Sequence, residues 1–280
     1  MKIIFSGYDA YGDWISLNSF VRFLLNYYDN IYLLTYYKDF VKELFKDNDK
    51  IIIGFDYNND YYNNDSYDEI NIEIWEKKDK KFNFTKNFFS SSNPIGPYLG
   101  LDCVKVNTVN PTIILNCRAI FKEENKILEN NSSAFYLALG IPKNIKLDYF
   151  FYKRNLIAEE ELFNKLELNN KKYILLNDYN PNLIKKEYYE NKNFININNL
   201  SKLYDVFKVI ENAEEVHLIE NSMTLFIYHM QFKKLMKPVK IIFHAYARKE
   251  HFRQAYSMEE SNMYLDMFLF PKLENWEIIF

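Results

Sequence analysis

Lys2-Ile3-Ile4-Phe5-Ser6-Gly7-Tyr8-Asp9-Ala10-Tyr11-Gly12-Asp13-Trp14 opens with an apolar run, crosses a loop with two glycines and two aspartates, and enters a helical pattern. Trp14, Leu17, Val21, Leu24, Leu25 and Tyr28 share one face at helical spacing, so a strand, a turn and a helix N-terminus follow one another. In open α/β sheets, ligands bind at this kind of corner, outside the carboxyl end of a strand. The first N–H groups of the helix are donors for a phosphate or carboxylate. Asp13 has two possible roles here: it caps the helix, or it is a base facing a substrate.

Outward from this corner, strands near 2–6, 30–35 and 50–54 alternate with helices near 13–28 and 37–46. Such alternation predicts a mostly parallel sheet. Residues 56–69 read as a surface loop. The segment 86–111 holds Pro94, Pro97, Pro111, Gly96 and Gly100, and reads as a wrap over the surface or a cleft. Ile113–Asn116 is a further strand, and a helix over 131–139 stops at Gly140 with Pro142 just beyond. A strand-like run covers 148–152. A second series then begins, with helices over 157–168, 201–212 and 222–236 and strands over 172–177, 194–197, 215–219 and 239–243. Leu203, Val206, Phe207 and Ile210 face the core, and 276–280 is a last strand or a tail packed on helices. The expected fold is α/β, with two Rossmann-like domains over 1–155 and 156–280 facing a cleft.

Composition narrows the function classes. A hydrophobic content of 48% in 280 residues supports a packed core. The net charge of −3 argues against a nucleic-acid binder led by phosphate contacts. No apolar run is long enough to span a bilayer. Lys2 precedes only a short apolar run, so neither a transmembrane segment nor a secretory signal is expected. Cys103 and Cys117 have no metal-ligand spacing and read as reduced thiols of a cytoplasmic protein. The 24 tyrosines and 24 phenylalanines accompany many Asn, Ile and Lys. All have AT-rich codons, so a stacking platform is not inferred. His217, His229, His244 and His251 lack HxH or HExxH spacing, and Asp9, Asp13 and Asp178 are scattered, so no metal is expected. GxGxxG, Walker A, GxSxG and CxxC are missing, which argues against a dinucleotide oxidoreductase.

Leu218-Ile219-Glu220-Asn221-Ser222-Met223-Thr224 repeats the geometry of the first corner. Asn221 or Ser222 caps the helix that follows, either as an ordinary cap or with a diphosphate on its first N–H groups. Arg154, after the 148–152 run, either forks onto phosphate oxygens or bridges to Glu159 or Glu160. His244 and Arg248 follow the 239–243 strand, and either contact a phosphate or sugar hydroxyl or belong to a solvated loop.

Several segments together resemble a known family. These are Gly12-Asp13 with Asn18, Val21-Arg22-Phe23-Leu24 and Tyr27-Tyr28; Ala134–Pro142; Phe151–Asn155; Tyr173–Asp178; and Ala213–Ser222. In this order they resemble GT-B-fold glycosyltransferase-like proteins of large DNA viruses and bacterial glycan clusters, and more distantly heptosyltransferase-type enzymes. Trp14, Asn177 and Met223-Thr224 depart from the family pattern. The resemblance implies a nucleotide-sugar donor on the C-terminal domain and a glycan or other hydroxyl acceptor on the N-terminal one. It implies Asp13 as the base, and inversion at the anomeric carbon with no metal and no cofactor besides the donor substrate. Arg154, Asn221, Ser222, Thr224, His244 and Arg248 would then hold the donor diphosphate, and Gly12, Asn18, Arg22 and Asp178 would line the acceptor side or cleft. Two other functions stay open: a non-catalytic nucleotide- or glycan-binding module of the same fold, and a sugar-phosphate-processing enzyme such as an epimerase.

Overall fold

The computed structural model describes residues 2–6, 11–35, 37–53, 104–107, 112–116, 144–178, 183–200, 202–248 and 273–279. The chain divides into two compact units, Met1–Phe151 and Tyr152–Phe280. The expected loop 56–69, the expected helix 131–139, both cysteines and His251 lie outside the described residues.

The first unit contains β1 (Lys2–Ser6), α1 (Tyr11–Leu24), β2 (Asn30–Leu34), α2 (Lys38–Leu44), β3 (Ile51–Ile53), β4 (Val104–Asn107), β5 (Thr112–Asn116) and α3 (Ile145–Asp148). The sheet order is β3-β2-β1-β5-β4. β1 is central, with Ile4 paired to Tyr32 on one side and Ile114 on the other, both parallel. β2 pairs parallel with β3, and β4 pairs antiparallel with β5. Part of the segment expected to wrap the surface is therefore a sheet strand, β4. The run 148–152 is not a strand: Asp148 ends α3 and the chain continues as irregular backbone.

α1 was expected to be amphipathic, but almost its whole circumference is buried. Trp14, Leu17, Val21 and Leu24 are covered as expected, and so are Ser16, Asn18 and Ser19; Leu25, past the helix end, is only half-buried. The reason is a second contact on the helix: α1 packs on α3, and the Ser19 hydroxyl donates to the Lys146 carbonyl at 2.5 Å. A helix covered all round loses its polar face.

The second unit contains α4 (Leu156–Lys165), β6 (Ile174–Asn177), β7 (Phe194–Asn196), α5 (Phe207–Glu211), β8 (Val216–Leu218), α6 (Ser222–Phe232), β9 (Ile241–His244) and β10 (Trp276–Ile279). All its pairings are parallel, in the order β10-β9-β8-β6-β7. Parallel sheets are covered on both faces, so their strands read as continuous apolar runs. Tyr173–Leu176 and Ile241–Phe243 are buried accordingly. Residues 276–279 form the closing strand. The helix expected over 201–212 shrinks to α5, because the Asp205 N–H closes a turn on the Lys202 carbonyl at 3.4 Å; Leu203 in that turn is only half-buried.

α4 and α6 end alike. Glu167 and Lys234 take left-handed backbone, with φ of 52° and 55°. Each exit closes with paired bonds, Leu168 N–H to Phe163 O and Glu167 N–H to Asn164 O after α4, and Leu235 N–H to Met230 O and Lys234 N–H to Gln231 O after α6. This double closure is a Schellman motif. Neither exit uses a glycine.

β10 is held by one buried amide. Gln231 Oε1 on α6 accepts from Trp276 Nε1 at 2.7 Å and from Asn275 Nδ2 at 2.9 Å. Gln231→Leu strips the acceptor from a buried indole N–H. We expect a loss of about 2 kcal/mol, the scale for an orphaned buried donor, read by urea denaturation.

Candidate functional site

In the second unit, counting strands by position in the chain, the sheet order reads 2-1-3-4-5, and the direction of winding reverses between β6 and β8. In doubly wound sheets, ligands sit outside the carboxyl ends of strands at that reversal. Asn177 closes β6 there and is fully buried. Its Nδ2 donates to Asn221 Oδ1 at 2.8 Å. The same oxygen accepts the Thr224 N–H at 3.1 Å. Asn221 is thus the N-cap of α6, Ser222 is its first helical residue, and one side chain joins the two strand ends across the reversal. The Thr224 hydroxyl is turned inward, donating to the Ile219 carbonyl at 2.5 Å. Asp178 staples the loop beyond β6: its Oδ2 accepts the Ile184 N–H at 3.1 Å and its carbonyl accepts Asn196 Nδ2 at 2.9 Å.

Next along the same edge is a contact between two histidines far apart in the chain. His217 on β8 and His244 at the end of β9 are both fully buried, with Nδ1 of the first 2.9 Å from Nε2 of the second. Tyr188 meets the His244 ring edge-on at 4.7 Å, Tyr246 does so at 5.4 Å, and Lys185 lies over the Tyr246 ring. His217 Nε2 is 3.4 Å from Glu215 Oε1. Burial works against the charge of Glu215, but hydrogen bonds from Lys192 and Lys240, with His217 close by, outweigh it and hold the carboxyl at about 2. Burial depresses His217, with Glu215 opposing. Burial, then the charges of His217 and Lys185, push His244 down to about 3. His244 is therefore a neutral imidazole near pH 7, which removes the positive charge that a phosphate contact would use.

Arg154 is fully committed within its unit. It donates to Glu159 from Nε at 2.9 Å, to Glu211 from Nη2 at 3.0 Å, and to the Leu235 carbonyl from Nη1 at 3.3 Å, with further bonds to both carboxylates. Burial works against its charge, but the two carboxylates outweigh that and raise its pKa. The expected bridge to Glu159 forms, Glu160 pairs with Lys208 instead, and no guanidinium N–H is left for a phosphate fork. Arg248 ends the 3₁₀ turn Ala245–Arg248 after β9.

In the first unit, α1 begins at Tyr11, two residues earlier than expected. Gly12 and Asp13 lie inside its first turn, so Asp13 is not the N-cap. It is a buried carboxylate in the helix's first turn, where the macrodipole favours negative charge. Asn18 and Arg22 act together. Asn18 Oδ1 accepts from Arg22 Nε and from the Phe151 N–H, both at 3.1 Å. The Arg22 fork grips Asp47 at 2.7 and 2.9 Å, and its guanidinium stacks between Phe45 and Phe151. Asn18 and Arg22 thus stitch α1 to the chain after α2 and to the end of the unit.

Each unit therefore carries its own cluster of expected residues: Gly12 and Asp13 in the first, and Asn221, Ser222, Thr224, Asp178 and His244 along one sheet edge in the second. Sequence reasoning did not assign Asn177, His217, Tyr188 or Tyr246 to the site. His217 sits in a strand, and spacing rules look for histidines close in sequence. No family model matches the chain, and neither the curated proteins nor the solved structures include a match. Among the described residues, no group of three or more His, Cys, Asp or Glu is placed to hold a metal, and no helix is long and apolar enough to cross a membrane.

Arg154→Ala leaves the buried Glu159 and the part-buried Glu211 without their cation. We expect about 3–4 kcal/mol of destabilisation by chemical denaturation, with Arg154→Lys recovering part of it. The histidine pair sets an acid limit. His titrates near 6.5 in an unfolded chain and at about 3 for His244 in the fold, so the unfolded chain binds more protons between those values. Stability therefore falls as the pH drops from about 6.5 towards 3, and His244→Phe should lose less between about pH 7.5 and about pH 4.5 than the parent does.

Proposed function

We propose that this chain is a glycosyltransferase of the GT-B type that moves a sugar from a nucleoside-diphosphate donor to a hydroxyl acceptor, with inversion and without a metal. The observation that carries the proposal is the winding reversal between β6 and β8. There Asn177 and Asn221 fix the start of an 11-residue helix, α6, at the carboxyl edge of an all-parallel sheet. The first N–H groups of such a helix and its dipole suit a departing diphosphate. Ser222 and Asn221 are the residues assigned to that end, and Asp178 borders it.

Asp13 takes the role of base. Its carboxylate accepts the proton of the acceptor hydroxyl, and the freed oxygen forms a bond to the anomeric carbon. The bond from that carbon to the diphosphate oxygen breaks, and the diphosphate leaves with the electron pair. Arg154 is not part of this assignment, because its donors are used within the second unit. That same fact favours a second reading, a nucleotide-binding module without turnover, since one expected stabiliser of the leaving group is withdrawn.

Purified protein is mixed with UDP- and GDP-sugars, and release of nucleoside diphosphate is followed with and without acceptors. Nucleoside diphosphate binding is measured by calorimetry. We expect turnover without added metal, and a fall of about a hundredfold or more in Asp13→Asn with nucleotide binding unchanged. Binding without turnover supports the module. Neither binding nor turnover overturns both.

A further inference from the structure

The chain of contacts from Glu215 to His244 has a direction. The Glu215 carboxylate lies 3.4 Å from His217 Nε2 and favours a proton on that nitrogen. A proton there leaves His217 Nδ1 as the acceptor of the 2.9 Å contact, so His244 Nε2 is the donor. A neutral imidazole carries one N–H, so His244 Nδ1 is then a bare lone pair. That atom is buried and has no hydrogen-bond partner among the described residues. A buried acceptor left unmade is costly.

Its surroundings limit what can bond to it. His244 is the last residue of β9, next to β8, so it stands on the carboxyl edge that also carries the α6 corner. Tyr188 and Tyr246 flank its ring, and Lys185 lies over Tyr246. The diphosphate of a sugar nucleotide, esterified at both ends, has no proton to give near neutral pH. An anion placed against a lone pair is repelled. A hydroxyl or an N–H is the fitting partner.

We infer that His244 Nδ1 accepts a hydrogen bond from the nucleoside part of the bound nucleotide, a ribose hydroxyl or a base N–H, and that Glu215 and His217 are positioning residues that hold it in the accepting tautomer. This rests on the nucleotide-site reading of the same sheet edge and moves His244 from the phosphates to the nucleoside.

The test is long-range proton–nitrogen NMR of the full chain labelled with ¹⁵N-histidine. Without ligand, the expected spectrum shows His244 protonated at Nε2 and bare at Nδ1. A proton on Nδ1 overturns the inference whatever the protein does to sugars. UDP and GDP are then added at concentrations at which calorimetry shows binding, with inorganic pyrophosphate as the control. The expected result is that the His244 Nδ1 signal moves to lower frequency with the nucleotides and stays put with pyrophosphate. The 2′-deoxy, 3′-deoxy and base-N-methylated diphosphates distinguish ribose from base, since one of them should fail to move it. Nucleotide that binds while Nδ1 stays still overturns the inference and leaves the nucleotide site standing. A shift without any turnover keeps the inference and removes the transferase. Absence of nucleotide binding overturns both. In His244→Phe, which keeps an aromatic ring of similar bulk, nucleoside diphosphate affinity should drop between about twofold and tenfold, the range for one neutral hydrogen bond, while pyrophosphate affinity should not change.

Discussion

Parallel pairing is the constraint on which the rest of this structure depends. Each parallel connection must cross over the sheet, so helices cover the strands and the strands turn apolar. All strands of such a set end at one edge. Polar side chains that cannot sit within the strands collect there. In the second unit Asn177, Asp178, Asn221 and His244 all stand at strand ends or just beyond them, and each is buried or tied to a backbone N–H. The candidate site is thus a product of the sheet's topology.

Two small devices turn that edge into defined geometry. Asn221 bonds both the α6 backbone and the Asn177 amide, so one residue caps a helix and bridges two strand ends. Glu215 lies against His217, and His217 meets His244 through their ring nitrogens. Away from the edge, Arg154 brings Glu159 of α4 and Glu211 of α5 together under the chain that leaves α6. Arg22 does comparable work in the first unit through Asp47. An arginine that spends its fork on a buried and a part-buried carboxylate is architecture.

Much of the fold was legible because its signals are local. The opening strand and helix, the Val216–Leu218 strand before α6, and the Ile241–His244 strand follow from apolar runs bounded by polar turns. What escaped depends on distant partners. The buried circumference of α1 comes from α3, more than a hundred residues on, and nothing in the periodicity of α1 announces it. β4 pairs antiparallel within a segment full of turn residues. At the site, the cap at Asn221 was readable from its type and place. The histidine contact was not, because His217 and His244 meet through strand pairing while 27 positions apart. Arg154 looked ambiguous in sequence because Glu159 alone cannot saturate it; the second carboxylate, Glu211, comes from another helix.

Glu167 and Lys234 stand at left-handed helix exits where a side chain with a Cβ is disfavoured, yet both motifs close fully. The chain holds only six glycines, while residues with AT-rich codons abound. Glycine codons are rich in G, so a bias towards AT-rich codons disfavours the residue best suited to these bends. Both bends therefore hold backbone strain, and the fold carries an unused margin of stability that glycine at these two positions would release.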